Sequence, residues 1–204
     1  MIMKYYIFVL VLMFITPLHA QEEIKNNTKN RPVDEIVNNK CHLCHGKKGE
    51  GSSSIYPRLA GQNKEYIAKQ LMDFRNGRRK SIMNEMTADL SNEEIFNLAE
   101  YFNAQDTLTH RIRDKKLSAV GQYIFLKGNK YSGIEACATC HGEDGAGTKF
   151  LPRLAGQHKR YVSAQLEEFN TRKRNNDNAI MHSIASKLTE LEREAVALYV
   201  SGLE

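Results

Sequence analysis

All four cysteines of this 204-residue chain fall in two copies of one pattern. Cys41, Cys44 and His45 read C-x-x-C-H, and Cys137, Cys140 and His141 read the same 96 residues later. The spacing suits covalent attachment of a c-type haem. Two thiols at i and i+3 of one helical turn reach the two vinyl groups of a porphyrin, and the next residue swings under the ring, where an imidazole nitrogen binds iron. Three other chemistries compete. A thioredoxin-like dithiol needs strands around it, a zinc site needs four ligands at closer overall spacing, and two plain disulfides leave both histidines unexplained. Each motif is followed by the same downstream sequence, which favours haem at both and gives two covalent haem c groups per chain.

Low-spin haem iron takes a sixth ligand, and methionine serves in electron carriers because a thioether raises the reduction potential. Methionine is also common core filler, so position has to decide. Met83 and Met181 each stand seven residues before a leucine, Leu90 or Leu188, that introduces the last helix of its half. Met72 and Met86 have no methionine counterpart in the second half. Met83 and Met181 are therefore the expected distal ligands, opposite His45 and His141, with Met86 in reserve and His182 a minor alternative to Met181. With both axial positions filled, no iron is open to a substrate, which points to outer-sphere electron transfer rather than catalysis.

A ligating histidine donates its other ring N–H to an acceptor that fixes its orientation. A backbone carbonyl at or beside Pro57 and Pro152, in the duplicated "PRLAGQ", is the expected acceptor. Arg58 and Arg153 are either partners of haem propionates, a role that suits a planar five-donor fork, or surface arginines. Gly46, Gly49 and Gly51, like Gly142, Gly145 and Gly147, let backbone pass close to a ring edge, while Gly61 and Gly156 serve a turn. No Lys-Ser/Thr pair follows any of them to support phosphate binding. His42 reads as incidental, and His110 and His158 as residues of surface segments.

The elements that must position these side chains are duplicated too. "YPRLAGQNKEYIAKQLMDF" from Tyr56 matches "LPRLAGQHKRYVSAQLEEF" from Leu151 without a gap at an offset of 95, and "IMNEMTADLSNEE" matches "IMHSIASKLTELE" at 98. The length changes fall in loops, which tolerate them. Two equivalent domains follow, residues 21–106 and 117–204, joined by a polar linker at 107–116. Tyr66, Ile67, Gln70, Leu71 and Phe74 recur at helical spacing, as do Tyr161, Val162, Gln165, Leu166 and Phe169. Ser91 with Glu94, and Thr189 with Glu192, form capping boxes before the last helix of each half. "VDEIVNN" and "SAVGQYIFLKG" read as helical stretches ahead of the cysteines, and strand alternation is absent. The expected fold is all-α, with three to four helices per domain wrapped around a haem.

"MIMKYYIFVLVLMFITPLHA", residues 1–20, has Lys4, an apolar run from Tyr5 to Ile15, Pro17 and Ala20. It reads as a secretory signal peptide, with a retained anchor as the alternative because Leu18 stands where a small residue is favoured. Export to the periplasm follows. The formal charge of +5 falls to +4 without Lys4, and cationic side chains run together at Arg78, Arg79 and Lys80, at Arg111, Arg113, Lys115 and Lys116, and at Arg172, Lys173 and Arg174. Such runs read as solvated faces, or as a docking surface for an acidic redox partner or an anionic membrane surface. Aromatic residues do not interleave with them, and an exported chain meets no nucleic acid.

"GIEACATCHGEDGAG", "PRLAGQHKRYVSAQLEEF", "IMHSIASKLT" and their first-half equivalents resemble the dihaem cytochromes c of the c4 type across nearly the whole mature chain. The resemblance implies two class I cytochrome c folds joined back to back, His and Met axial ligands, and a periplasmic carrier between a quinol-oxidising complex and a terminal oxidase. The first-half "KKGEGSSSIYPRLAGQ" is more basic than that family's pattern, which leaves the docking partner open. Related two-domain cytochromes serve flavin-dependent sulfide dehydrogenases, and a dihaem peroxidase-like enzyme is the rival from another class. The peroxidase requires one iron without a firm sixth ligand, and both methionines are present.

Overall fold

A computed structural model describes residues 30–204 of the protein, so the signal-peptide reading of residues 1–20 lies outside the described residues. The first half opens with α1 (Val33–Ile36), which passes through a π-helical turn (Val37–Cys41) into α2 (His42–His45). It continues with α3 (Lys64–Arg75), α4 (Met83–Thr87) and α5 (Asn92–Asn103). The second half contains α6 (Lys115–Lys127), α7 (Ala138–His141), α8 (Lys159–Asn170), α9 (Ile180–Ala185) and α10 (Glu190–Ser201). Among the described residues there is no strand, and a lone antiparallel bridge joins Asn129 to Ile134. The chain is all-α, as its sequence pattern predicts.

Twelve-residue helices of this kind do not persist alone in water, so tertiary packing must hold them. Each half has its own core. Ile36, Val37, Ile67, Ile95, Leu98 and Phe102 close the first, where α5 crosses α3 and α1. Ile124, Phe125, Val162, Leu166, Phe169, Val196 and Val200 close the second, where α10 crosses α6 and α8. Fully burying one such side chain contributes about 1.5–3 kcal/mol. Both predicted capping boxes are formed, Ser91 with Glu94 and Thr189 with Glu192, each satisfying two otherwise orphaned backbone donors.

The halves clasp each other through the duplicated "PRLAGQ". Gln62 accepts from the Arg153 N–H at 2.7 Å and donates Nε2 to the Arg153 carbonyl at 2.9 Å. Gln157 repeats both bonds on Arg58, at 2.8 and 3.0 Å. A side-chain amide pairs here with a peptide group as a neighbouring strand would, which satisfies both buried partners. The next position differs between halves. Asn63 Nδ2 donates to the carbonyls of Ala146, Thr148 and Leu151, whereas His158 Nδ1 lies 2.9 Å from His110 Nε2.

Candidate metal centres

In each half the motif sits on a helical turn whose last residue is the histidine. His45 ends α2 and His141 ends α7, and the Gly46 and Gly142 that follow have φ of 76° and 80°, where a Cβ is disfavoured. The turn redirects the chain so that Pro57 and Pro152 come back beside the rings. His45 Nδ1 is 2.9 Å from the Pro57 carbonyl, and His141 Nδ1 is 3.3 Å from the Pro152 carbonyl. A carbonyl only accepts, so the proton is on Nδ1 and the Nε2 lone pair is free for a metal. Both rings are 7% exposed, and burial holds each imidazole below its ordinary value against the opposing pull of the proline carbonyl. Each is then neutral at pH 7, the form that coordinates iron.

Burial likewise pushes the Cys41 and Cys137 thiols up to about 11. A redox-active dithiol needs the opposite, a depressed thiol in electropositive surroundings. The four sulfurs are free cysteines rather than disulfides. This fits thioether attachment.

Met83 begins α4, its N–H capped by Ser81 Oγ at 3.0 Å and its carbonyl accepting from Thr87 Oγ1 at 2.8 Å. Met181 lies in α9, its N–H bonded to Asp177 Oδ2 at 2.6 Å and its side chain packed on the second core. Met86 is exposed. The His182 ring is held by Nδ1 on the Phe169 carbonyl at 3.0 Å.

Arg58 is half-buried, its Nη1 donating to the Leu108 and Gly156 carbonyls at 2.7 and 2.6 Å and its Nε to the Glu50 carbonyl at 3.2 Å. Two sequence expectations need correction. His158 is 6% exposed and packed into the first half against Gly51, not on a surface segment. Arg79 and Arg174, expected on solvated or docking faces, are buried at the domain junction, because their partners come from the other half. Arg153 keeps a buried Nε with no partner among the described residues, an orphaned donor that suits a propionate oxygen. The sequence reading passed over Gln62, Gln157, Arg79 and Arg174 as junction residues. Their retention at one fixed offset while neighbours such as Lys80 and Asn175 diverged was the signal.

Two helical lobes, each presenting C-x-x-C-H beneath a carbonyl-oriented histidine, define a tandem class I cytochrome c. Family models agree: residues 119–204 match that of cytochrome c, and residues 28–102 match that of cytochrome c oxidase, cbb3-type, subunit III. The chain is 39% identical over 171 residues to cytochrome c4 of Thiocapsa roseopersicina, covering 82% of this chain and 88% of that one. The crystal structure of reduced recombinant cytochrome c4 from Pseudomonas stutzeri superposes with a TM-score of 0.77 at 34% identity, covering 80% of this chain and 93% of that one. A thiosulfate dehydrogenase electron acceptor from Thiomonas intermedia is 33% identical over 168 residues, 79% of this chain and 77% of that one. The chain belongs to the cytochrome c4 family. It carries two covalently bound haem c groups and transfers electrons to and from redox protein partners rather than acting as an enzyme.

Proposed function

We propose that the protein is a periplasmic electron carrier that receives electrons from a quinol-oxidising complex and passes them towards a terminal oxidase. Cys41 and Cys44 hold one haem and Cys137 and Cys140 the other, with His45 and Met83, and His141 and Met181, on the two irons. When bound, each haem supplies one-electron chemistry. The observation that carries the reading is the duplicated histidine on its proline carbonyl, with a methionine at the equivalent position of each half. Pro57 and Pro152 fix the rings, which keeps a ligand from reorganising when the charge on iron changes. Gln62 and Gln157 hold the lobes in one relative placement. Export supplies the compartment, and residues 1–20 are the export signal.

A second reading is favoured by the thiosulfate dehydrogenase electron acceptor among the relatives. There the donor is an enzyme of sulfur oxidation, and the same two closed irons serve. Stopped-flow reduction of the purified protein by each candidate donor separates the two.

Met83→Ala and Met181→Ala test the ligand assignment. Each is expected to open one iron of the two to carbon monoxide, with loss of half the near-infrared sulfur-to-iron band of the oxidised protein. Carbon monoxide binding that stays at the parent level in either variant would show that another residue, Met86 in the first half, is the ligand.

A further inference from the structure

Two guanidinium groups are buried at the domain junction with no carboxylate of the described residues on either. Arg79 and Arg174 are 9% and 6% exposed. Arg79 Nη1 donates to Gln70 Oε1 at 2.7 Å, and its Nη2 crosses to the Tyr161 hydroxyl at 3.2 Å and to Gln165 Oε1 at 2.5 Å. Arg174 mirrors this, with Nη1 on Gln165 Oε1 at 2.7 Å and Nη2 on the Tyr66 hydroxyl at 2.8 Å and Gln70 Oε1 at 3.4 Å. Each also lies over a phenylalanine of its own half, 4.6 Å from the Phe74 centroid and 4.4 Å from that of Phe169. The two cations therefore share both glutamine oxygens.

The nearest carboxylates are committed elsewhere. Asp73 accepts from Lys69 at 2.5 Å, Arg78 at 2.7 Å and Asn176 at 2.7 Å. Glu168 accepts from Gln165 Nε2 at 3.0 Å, and among the described residues no carboxylate comes within ion-pair distance of Arg79 or Arg174. Burying one ion without a counter-ion is costly, and two like ions on shared acceptors cost more. Amides and phenols solvate a guanidinium without cancelling its charge. The arrangement calls for an anion that the described residues do not supply, and a haem carries two propionates.

Position adds a second argument. Arg79 stands four residues before Met83 and Arg174 seven before Met181, so each cation lies on the strap that carries a proposed ligand. Asn84 Nδ2, one residue past Met83, holds the Arg79 carbonyl at 2.8 Å. A fixed cation in a low-dielectric junction favours the less positive ferrous state on both sides of it.

We propose that Arg79 and Arg174 are one shared positive charge at the junction, partly neutralised by haem propionates, and that this charge raises the reduction potentials of both haems together. The proposal rests on the two-haem reading. The test is potentiometric titration of the full, matured chain carrying Arg79→Gln, Arg174→Gln, Arg79→Lys or Arg174→Lys, after haem quantification. A parent with fewer than two haems per chain would sink the two-haem reading itself, whereas the charge proposal is decided only among variants that hold two. Each glutamine variant is expected to weaken the electron affinity of both haems about tenfold, or ~59 mV, while each lysine variant stays within about threefold of the parent. Glutamine variants with parental potentials overturn the proposal, as do glutamine and lysine variants that shift alike or that move one haem alone. Should a glutamine variant fail to hold haem, the lysine variant decides. Two haems at parental potentials support the charge role, and loss of haem there too overturns it in favour of a structural one.

Discussion

The first half reaches into the second with an amide, and the second reaches back with an imidazole. Asn63 and His158 are equivalent residues beside equivalent glutamines, yet Asn63 is fastened to three carbonyls of the second-half haem loop, while His158 lies on His110 with its Nε2 against Gly51. Around them the clasp is kept residue for residue: Gln62 and Gln157, Arg79 and Arg174, Tyr66 and Tyr161. The glutamine, arginine and tyrosine contacts across the junction have stayed duplicated, whereas the Asn63 and His158 contacts beside them have drifted. Two further differences show the drift. α6 ends at Gly128 and is followed by a bridged loop before the second motif, while α1 runs straight into the first through its π-helical turn. The turn after α3 is made by Gly77, and the equivalent turn after α8 by Arg172.

The largest expected effect comes from the crossing that belongs to the second half. Gly121 lets α6 lie directly on the backbone of α10, and a Cβ there would come 2.0 Å from the Ala195 carbonyl oxygen. Alanine is the better helix former by about 1 kcal/mol, so propensity alone predicts that Gly121→Ala stabilises. Overpacking costs about 1–3 kcal/mol, and a backbone obstacle that cannot rotate away puts this site at the upper end, so the crossing should win with a net loss of about 2 kcal/mol. Chemical denaturation followed by circular dichroism checks the sign. A more stable variant would show that the helices slide apart freely, and that the second half tolerates the looser packing of the first.

An effect that is smaller near neutral pH and grows on acidification separates the amide from the imidazole. Burial, then the charges of Arg58 and His110, drive His158 down to about 4, with the Glu50 and Gly51 carbonyls opposing, and burial and Arg58 also lower His110. The folded state thus refuses a proton that the unfolded chain accepts near the ordinary histidine value of about 6.5. Between roughly pH 6.5 and 4 the unfolded state binds more protons, so stability falls as pH falls, at up to about 1.4 kcal/mol per pH unit for one proton. His158→Asn makes this position match Asn63 and should flatten that slope while leaving stability at pH 8 near the parent value. Denaturation midpoints at pH 8, 6 and 4.5 measure it. A slope equal to the parent's would assign the acid sensitivity to other groups.

Local pattern carried much of this molecule. The C-x-x-C-H turns, both capping boxes and the apolar faces of α3 and α8 depend on residues within a few positions of one another, and a single chain displays them. The junction depends on partners about a hundred residues apart. A run such as Arg78, Arg79, Lys80 reads as a solvated face because nothing adjacent explains a buried guanidinium, and Tyr161 and Gln165 lie in the other half. Gln70 shows the same limit from the opposite side. It falls on the apolar stripe of α3, yet its oxygen serves the arginines rather than the core. The π-helical turn at Val37–Cys41 was equally hidden, since a one-residue insertion in a helix leaves no mark in a segment this short.

The smallest effect tests whether drift has left strain behind. After α3 the chain turns through Gly77 at φ 71°, and after α8 the equivalent Arg172 adopts φ 57°. Both follow a helix C-terminus, where a left-handed residue redirects the chain and glycine has no Cβ to clash. Arginine in that region costs about 1–2 kcal/mol, against which glycine loses up to ~1 kcal/mol through the greater freedom of its unfolded chain. Arg172→Gly should therefore stabilise the protein by about 0.5 kcal/mol, and Gly77→Arg should destabilise it by a similar amount. The exposed Arg172 side chain makes no ion pair among the described residues, so removing it forfeits little else. Equilibrium denaturation of the two single variants, compared at one pH and salt concentration, decides the matter. If Arg172→Gly destabilises while Gly77→Arg is neutral, the turn of the second half is held by something other than its backbone angle, and the two turns are alike in shape alone.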